Sequence, residues 1–175
     1  MRIAGFDISS NTIGSSVLET TETIPKVVVC SFYSPPKNGT YIERLVATRD
    51  KINEILIKFS PDEIGIEQIT QFMGGRSTAK TIIALARFNA CVGLACFDYN
   101  GKSPEFYSVI KIRHGIKENK KLPDKTEIPE LVAKHLNIKF PYTFMKKKPE
   151  KIAVESYDAA DSLAVAYFHF LQLTK

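Results

Sequence analysis

The 175-residue sequence has no tryptophan, only three histidines and only three cysteines. Cys30, Cys91 and Cys96 form no CxxC pair and no Cys/His set at zinc-finger spacing, which excludes a sequence-evident structural zinc site. Cys91 and Cys96 lie inside an apolar run and read as buried free thiols of a reducing compartment. His169, in an apolar helical stretch, reads as a packed core residue. No apolar run reads as a membrane span, and Asp7 arrives too early for a secretory signal, so a soluble, cytoplasmic protein is expected. Internal repeats and low-complexity segments are absent. Acidic excess is absent as well: 24 Lys and Arg face 19 Asp and Glu, a net charge of +5 that fits a polyanionic partner without specifying one. With 44% hydrophobic residues the chain can bury a core, and residues 1–175 are expected to form a single domain.

Residues 2–8 read as a buried strand, followed by turn chemistry at Ser9-Ser10-Asn11-Thr12. Residues 14–19 read as its returning partner and Lys26 to Ser34 as a third strand. Leu45, Thr48, Ile52, Ile55, Leu56 and Phe59 recur at helical spacing between Tyr41 and Phe59, and Pro61 ends that helix. Asp62 to Glu67 is a short buried strand. Gln68 to Arg76 is a polar loop. Ser77 is placed to cap a long helix reaching about Phe97. Glu105 to Ile110 reads as a fifth strand and Lys111 to Lys121 as a basic segment. A helix is expected from Pro123-Asp124 to about Leu136, an irregular stretch over 137–152, and a last helix from about Ser156 to Leu173. The first three strands must be antiparallel because their connections are short, whereas helical crossovers suit parallel strands. An α/β fold with a mixed five-stranded sheet and helices on both faces follows.

Four acids stand out. Asp7 closes an otherwise apolar strand, where a carboxylate is costly unless something satisfies it; its plainer role is to cap the Ser9-Ser10 turn. Glu67 ends a second apolar strand. If these strands are parallel neighbours, both acids reach one sheet edge, beyond the carboxyl ends of the strands where α/β ligand sites form. Asp158 and Asp161 share one helix face at i,i+3, with small Ala159 and Ala160 between them. They also read as first-turn acids favoured by the helix dipole, but the small flanking residues and a helix apolar on more than one face speak against that plainer role. Clustered, four carboxylates would need a counter-charge and would select hard cations such as Mg²⁺ or Mn²⁺. Two such ions per site can serve in-line phosphoryl displacement.

The ordered set carries a resemblance. Gly5-Phe6-Asp7-Ile8-Ser9-Ser10-Asn11-Thr12-Ile13-Gly14, Ile64-Gly65-Ile66-Glu67-Gln68 and Asp158-Ala159-Ala160-Asp161-Ser162-Leu163-Ala164-Val165-Ala166 look like the three acidic motifs of RuvC-type nucleases. The resemblance implies an RNase H-like fold, a homodimer, and Mg²⁺-dependent paired nicking of four-way DNA junctions. By position it makes Asp7, Glu67, Asp158 and Asp161 metal ligands, and matches Lys111 and Lys125 to catalytic basic residues. A family aromatic after the Glu matches Phe72 only across a short insertion. The Ser9-Ser10 turn and the lysine-rich stretch 113–124 also depart from the bacterial pattern, as a divergent phage-type member would.

Arg76, Lys80, Arg113, Lys117, Lys120 and Lys121 are expected to contact DNA, with Phe72 as a stacking residue. Lys146-Lys147-Lys148 reads more simply as a solvated loop. Other readings stay open: a different RNase H-like nuclease acting on forks, flaps or RNA–DNA hybrids, or a non-catalytic branched-DNA-binding module. An actin-like kinase or ATPase would need a second related domain that the sequence lacks.

Overall fold

The structure, a computed structural model, describes residues 1–20, 23–69 and 78–175. Strands β1 (Arg2–Ile8), β2 (Ile13–Glu19) and β3 (Lys26–Tyr33) form an antiparallel meander. Helix α1 (Tyr41–Phe59) returns the chain to β4 (Glu63–Gln68), and α2 (Ala79–Asn100) leads to β5 (Glu105–Ser108). β4 pairs parallel to β1 and β5 parallel to β4, giving the order β3-β2-β1-β4-β5. The expected mixed five-stranded sheet is present.

Strand periodicity sorts the core into two layers. Ala4, Phe6 and Ile8 of β1, with Ile64 and Ile66 of β4, pack against Ile52 and Leu56 of α1 and Phe88 and Val92 of α2. Ile3 and Leu18 face the other way, onto α3 (Val109–Ile116), α4 (Ile128–His135) and α5 (Glu155–Leu173). Alternation thus commits every odd-numbered residue of β1 to the α5 side.

Four boundaries differ from the sequence reading. β5 stops at Ser108, whose side chain accepts from Lys111 N and starts α3, so Val109 and Ile110 are helical. Val109, Ile112 and Ile116 form the apolar stripe of that helix within the basic segment. The helix expected from Asp124 opens with a 3₁₀ turn at Lys125–Glu127, before α4 proper. Residues 137–152 are not wholly irregular: β6 (Phe144–Met145) and β7 (Lys148–Ile152) make an antiparallel hairpin. Ser77 lies outside the described residues, and the observed cap of α2 is Thr78, which accepts from Thr81 N.

α2 also corrects the expectation about membrane spans. Its 22 residues are long and apolar enough by composition to cross a bilayer. Here one face, with Phe88, Val92, Ala95 and Cys96, is buried against the sheet, while Ile83, Leu94 and Phe97 are exposed.

Candidate active site

The site begins with two glycines. In the parallel register of β1 and β4, Gly5 lies opposite Gly65 and Phe6 opposite Ile66. Both glycines face α5. A Cβ on Gly5 would collide with the backbone of Ser162 and Ala166, and one on Gly65 would crowd Val165 and His169. Their lack of side chains lets α5 lie directly on the two central strands. Two residues further along each strand, on the same face, come Asp7 and Glu67. The bond from Asn89 Nδ2 on α2 to the Glu67 carbonyl oxygen, 3.0 Å, holds the end of β4.

The small residues of α5 complete the approach. Ala159, Ala160 and Ser162 are buried, and Ser162 Oγ meets Ser16 Oγ of β2 at 2.7 Å. Gly14 on β2 faces the Asp158 carbonyl so closely that no Cβ fits. Asp158 and Asp161 are thereby set over the end of β1, and one carboxylate oxygen from each of Asp7, Asp158 and Asp161 lies within 4.8 Å of the others. Asp7, Glu67, Asp158 and Asp161 all line one open cleft of about 290 Å³, together with Ile8, Leu85, Val109, Arg113 and Lys125. The turn-capping alternative for Asp7 fails, because Ser9 Oγ itself accepts from Asn11 N and Thr12 N.

Electrostatics at the cleft are those of an under-neutralised acid cluster. Burial, then the neighbouring Asp161, pushes the Asp7 carboxyl up to about 7. Burial, then Asp7 and Asp161, holds Glu67 well above the usual carboxylate range. Asp161 is raised by burial, offset in part by Lys125 and Arg113. Lys125 supplies the closest positive charge: its Nζ is 2.8 Å from Asp158 Oδ1 and 3.2 Å from Asp161 Oδ2. Burial alone would lower the Lys125 ammonium, but Asp161, Asp158 and Asp7 more than offset it and the net shift is upward. An all-oxygen donor set this close, with excess negative charge and an opening to solvent, fits a hard divalent cation.

The basic residues divide. Lys125 and Arg113 line the cleft, whereas Lys111 is exposed on α3 and is not among the lining residues. Two positions on a helix turn a side chain by about 200°, which separates Lys111 from Arg113. The basic residue after the fifth strand that reaches the acids is therefore Arg113. Arg113 also donates to the Pro123 carbonyl at 3.2 Å, which ties α3 to the segment carrying Lys125. Lys80, Lys117, Lys120 and Lys121 do not line the cleft; Lys121 pairs with Asp124 at 3.3 Å. Phe72 and Arg76 lie outside the described residues. Asn89 and the apolar wall of Leu85 and Val109 were not anticipated. An amide set mid-helix between Phe88 and Ala90 was the available signal for Asn89. His169 is in the core as expected, with Nδ1 2.6 Å from the Tyr107 hydroxyl.

Known proteins give the same picture. The model of the family described as crossover junction endodeoxyribonuclease RuvC matches residues 3–169. The RuvC of Clostridioides difficile is 26% identical over 169 residues, covering 97% of this chain and 89% of that protein. The RuvC of Azorhizobium caulinodans is 28% identical over 174 residues, covering 97% and 89%. Among solved structures, Thermus thermophilus RuvC in complex with a Holliday junction substrate superposes with a TM-score of 0.77 at 16% identity, covering 99% of this chain and 96% of that one. The yeast mitochondrial Holliday junction resolvase superposes with a TM-score of 0.63 at 13% identity, covering 99% and 84%. These last two establish the fold, and the family match over nearly the whole length establishes the kinship: this chain belongs to the RuvC family of crossover junction endodeoxyribonucleases.

Proposed function

We propose that this protein resolves four-way DNA junctions by paired nicking, as a homodimer, with Asp7, Glu67, Asp158 and Asp161 holding two Mg²⁺ ions, for which Mn²⁺ can substitute. The observation that carries the reading is the convergence of these four carboxylates on one open cleft at the carboxyl edge of the parallel strands. Its expected location is the cytoplasm, at the nucleoid or, for a phage-encoded member, in the host.

When bound, the cations supply Lewis-acid charge stabilisation at the phosphoryl group and activate the attacking water. The remaining work falls to the chain. Lys125 is held beside the acids and presents its ammonium to a phosphate entering the cleft. Arg113 adds a second positive charge at the same wall, on a guanidinium suited to phosphate oxygens. Ile8, Leu85 and Val109 lower the local dielectric, which strengthens both contacts. The attacking water forms the new P–O bond and gives up one proton, the bond to the leaving sugar oxygen breaks, and that oxygen takes one up.

Pairing is supported by an exposed apolar face. Ile42 on α1 is 66% exposed and Leu94 on α2 is 61% exposed, and with Val46 and Cys91 they line an apolar groove. A groove of this composition suits an isologous contact between copies. Two-fold pairing would offer one cleft to each of two strands.

The test is cleavage of a synthetic four-way junction with Mg²⁺, with Mn²⁺ and with EDTA, beside linear duplex, fork and RNA–DNA hybrid. Symmetric nicks in the junction that require the metal and vanish in Asp161→Asn are expected. Cutting of the hybrid or fork alone would move the substrate, and tight junction binding with no cutting would leave a binding module.

A further inference from the structure

We infer that the β6–β7 hairpin is a DNA-backbone contact arm, gripping phosphates beside the cleavage cleft; this rests on the junction-nuclease reading above. The sequence suggested a solvated loop here, but the segment is built. Phe140 and Ala153 are buried at its two ends. Ala153 N donates to the Thr143 carbonyl at 2.8 Å, closing its base. Ser156, fully buried in the first turn of α5, accepts from Thr143 N at 2.9 Å and donates to Thr143 O at 3.1 Å. Tyr142 adds a bond from its hydroxyl to Glu130 of α4, 2.8 Å. An isolated two-stranded hairpin is marginal in water, so these anchors are what hold it.

The anchor also fixes where the arm stands. Ser156 precedes Asp158 and Asp161 on the same helix, so the base lies about 3 and about 8 Å along the axis from the two acids. From Thr143 to the start of the turn at Lys146 is three residue steps, a reach of about 10 Å at roughly 3.3 Å per residue. That reach spans about three phosphates of one strand at an axial spacing of about 3.4 Å.

What the hairpin presents is charge. Lys146, Lys147, Lys148 and Lys151 are all exposed, against one acid, Glu150. Among the described residues no carboxylate lies within 4 Å of any of these four ammonium groups, so the hairpin carries its charge without internal neutralisation. The turn itself is Lys146-Lys147, where two-residue hairpins favour Asn-Gly in left-handed backbone. Neither lysine has positive φ. Turn chemistry has been given up for two unpaired cations at the tip. The double-stranded ribbon is narrow enough to enter a major groove, and compact ammonium groups suit sequence-independent phosphate contacts.

The experiment measures binding to two four-way junctions of unrelated sequence, at several salt concentrations, by the full chain carrying Asp7→Asn to block cutting. In that background, Lys146, Lys147, Lys148 and Lys151 are changed together to Gln, and separately together to Arg. The Gln variant is expected to bind both junctions about tenfold more weakly at moderate salt and to lower the slope of log K against log salt by about 3. The Arg variant should keep the affinity and slope of the parent. Unchanged affinity and slope in the Gln variant would overturn the arm and leave the nuclease reading intact, with the hairpin free for an acidic protein partner. Equal loss in the Gln and Arg variants would also overturn it, because shape rather than charge would then be at work. Failure of the parent to bind either junction would remove the junction reading and the arm together.

Discussion

Lys125 Nζ donates to Asp158 Oδ1 across 2.8 Å, joining the 3₁₀ turn that opens α4 to the helix that carries two of the four acids. The same ammonium is 3.2 Å from Asp161 Oδ2. Because it is the nearest cation to the cluster, replacing it by Ala should slow cleavage by about a hundredfold, the scale of losing one preorganised charge contact. Junction binding should change little. Single-turnover cleavage and equilibrium binding, measured on one preparation, separate the two, and equal losses would reduce Lys125 to a phosphate contact. Lys111→Ala, at an exposed position off the cleft, should fall well short of Arg113→Ala in its effect on rate.

The Asp7 carboxyl, ordinarily near 3.8, is pushed up to about 7 by burial and then by Asp161. A carboxyl whose value is raised by folding favours the folded state while it is protonated. That contribution is complete below about pH 4 and is lost as the pH rises through 7. In EDTA the protein should therefore become less stable from pH 5 to pH 8, and Mg²⁺ should raise the melting temperature more at pH 8 than at pH 5. Thermal melts at the two pH values, with and without metal, check this; a metal effect independent of pH would contradict it.

Asp7→Asn removes the same charge permanently. It should abolish cutting, leave junction binding near wild type, and stabilise the metal-free protein at pH 8 by on the order of 1 kcal/mol. Loss of stability with retained cutting would sink the assignment of Asp7 to the metal set.

Gly5→Ala should act at a distance. The added methyl meets the backbone of α5 at Ser162 and Ala166, which cannot move aside as a side-chain tip would. The helix must shift, carrying Asp158 and Asp161 with it. A cost of about 1–3 kcal/mol in urea denaturation is expected, with cleavage falling by more than the folded fraction does. Normal activity in the folded variant would show that the acids tolerate displacement.

Leu94→Glu places a charge in the exposed apolar groove between α1 and α2. Sedimentation should show monomers where the parent sediments as dimers, and paired incision should give way to single nicks. A parent that is already monomeric would remove the dimer proposal.

Much of this was open to reading in the chain itself. α1 announced itself by its helical period, because it buries one face, and the first four strands by apolar runs set between turn residues; β5, which buries no residue, was read two residues too long. Asp7 and Glu67 were visible as charges that end apolar runs. The β6–β7 hairpin was not visible, since its strands are short, exposed and interrupted by Pro149, so no buried face wrote an alternation into them. α3 was obscured because its apolar residues Val109, Ile110, Ile112 and Ile116 are interspersed with Lys111, Arg113 and His114.

The sequence by itself determined the sheet, its order of elements and the four acids, because local periodicity and the cost of burying a carboxylate are properties of residues and their neighbours in the chain. Lys125 was legible by resemblance, but the tertiary structure alone decided which residue of α3 stands with it at those acids. Arg113 rather than Lys111 reaches the cleft because of how α3 is rotated against α5, and Asn89 holds Glu67 because α2 crosses the end of β4. Rotation and crossing are set by long-range packing, in which residues far apart in the chain share one surface, and no local pattern records them.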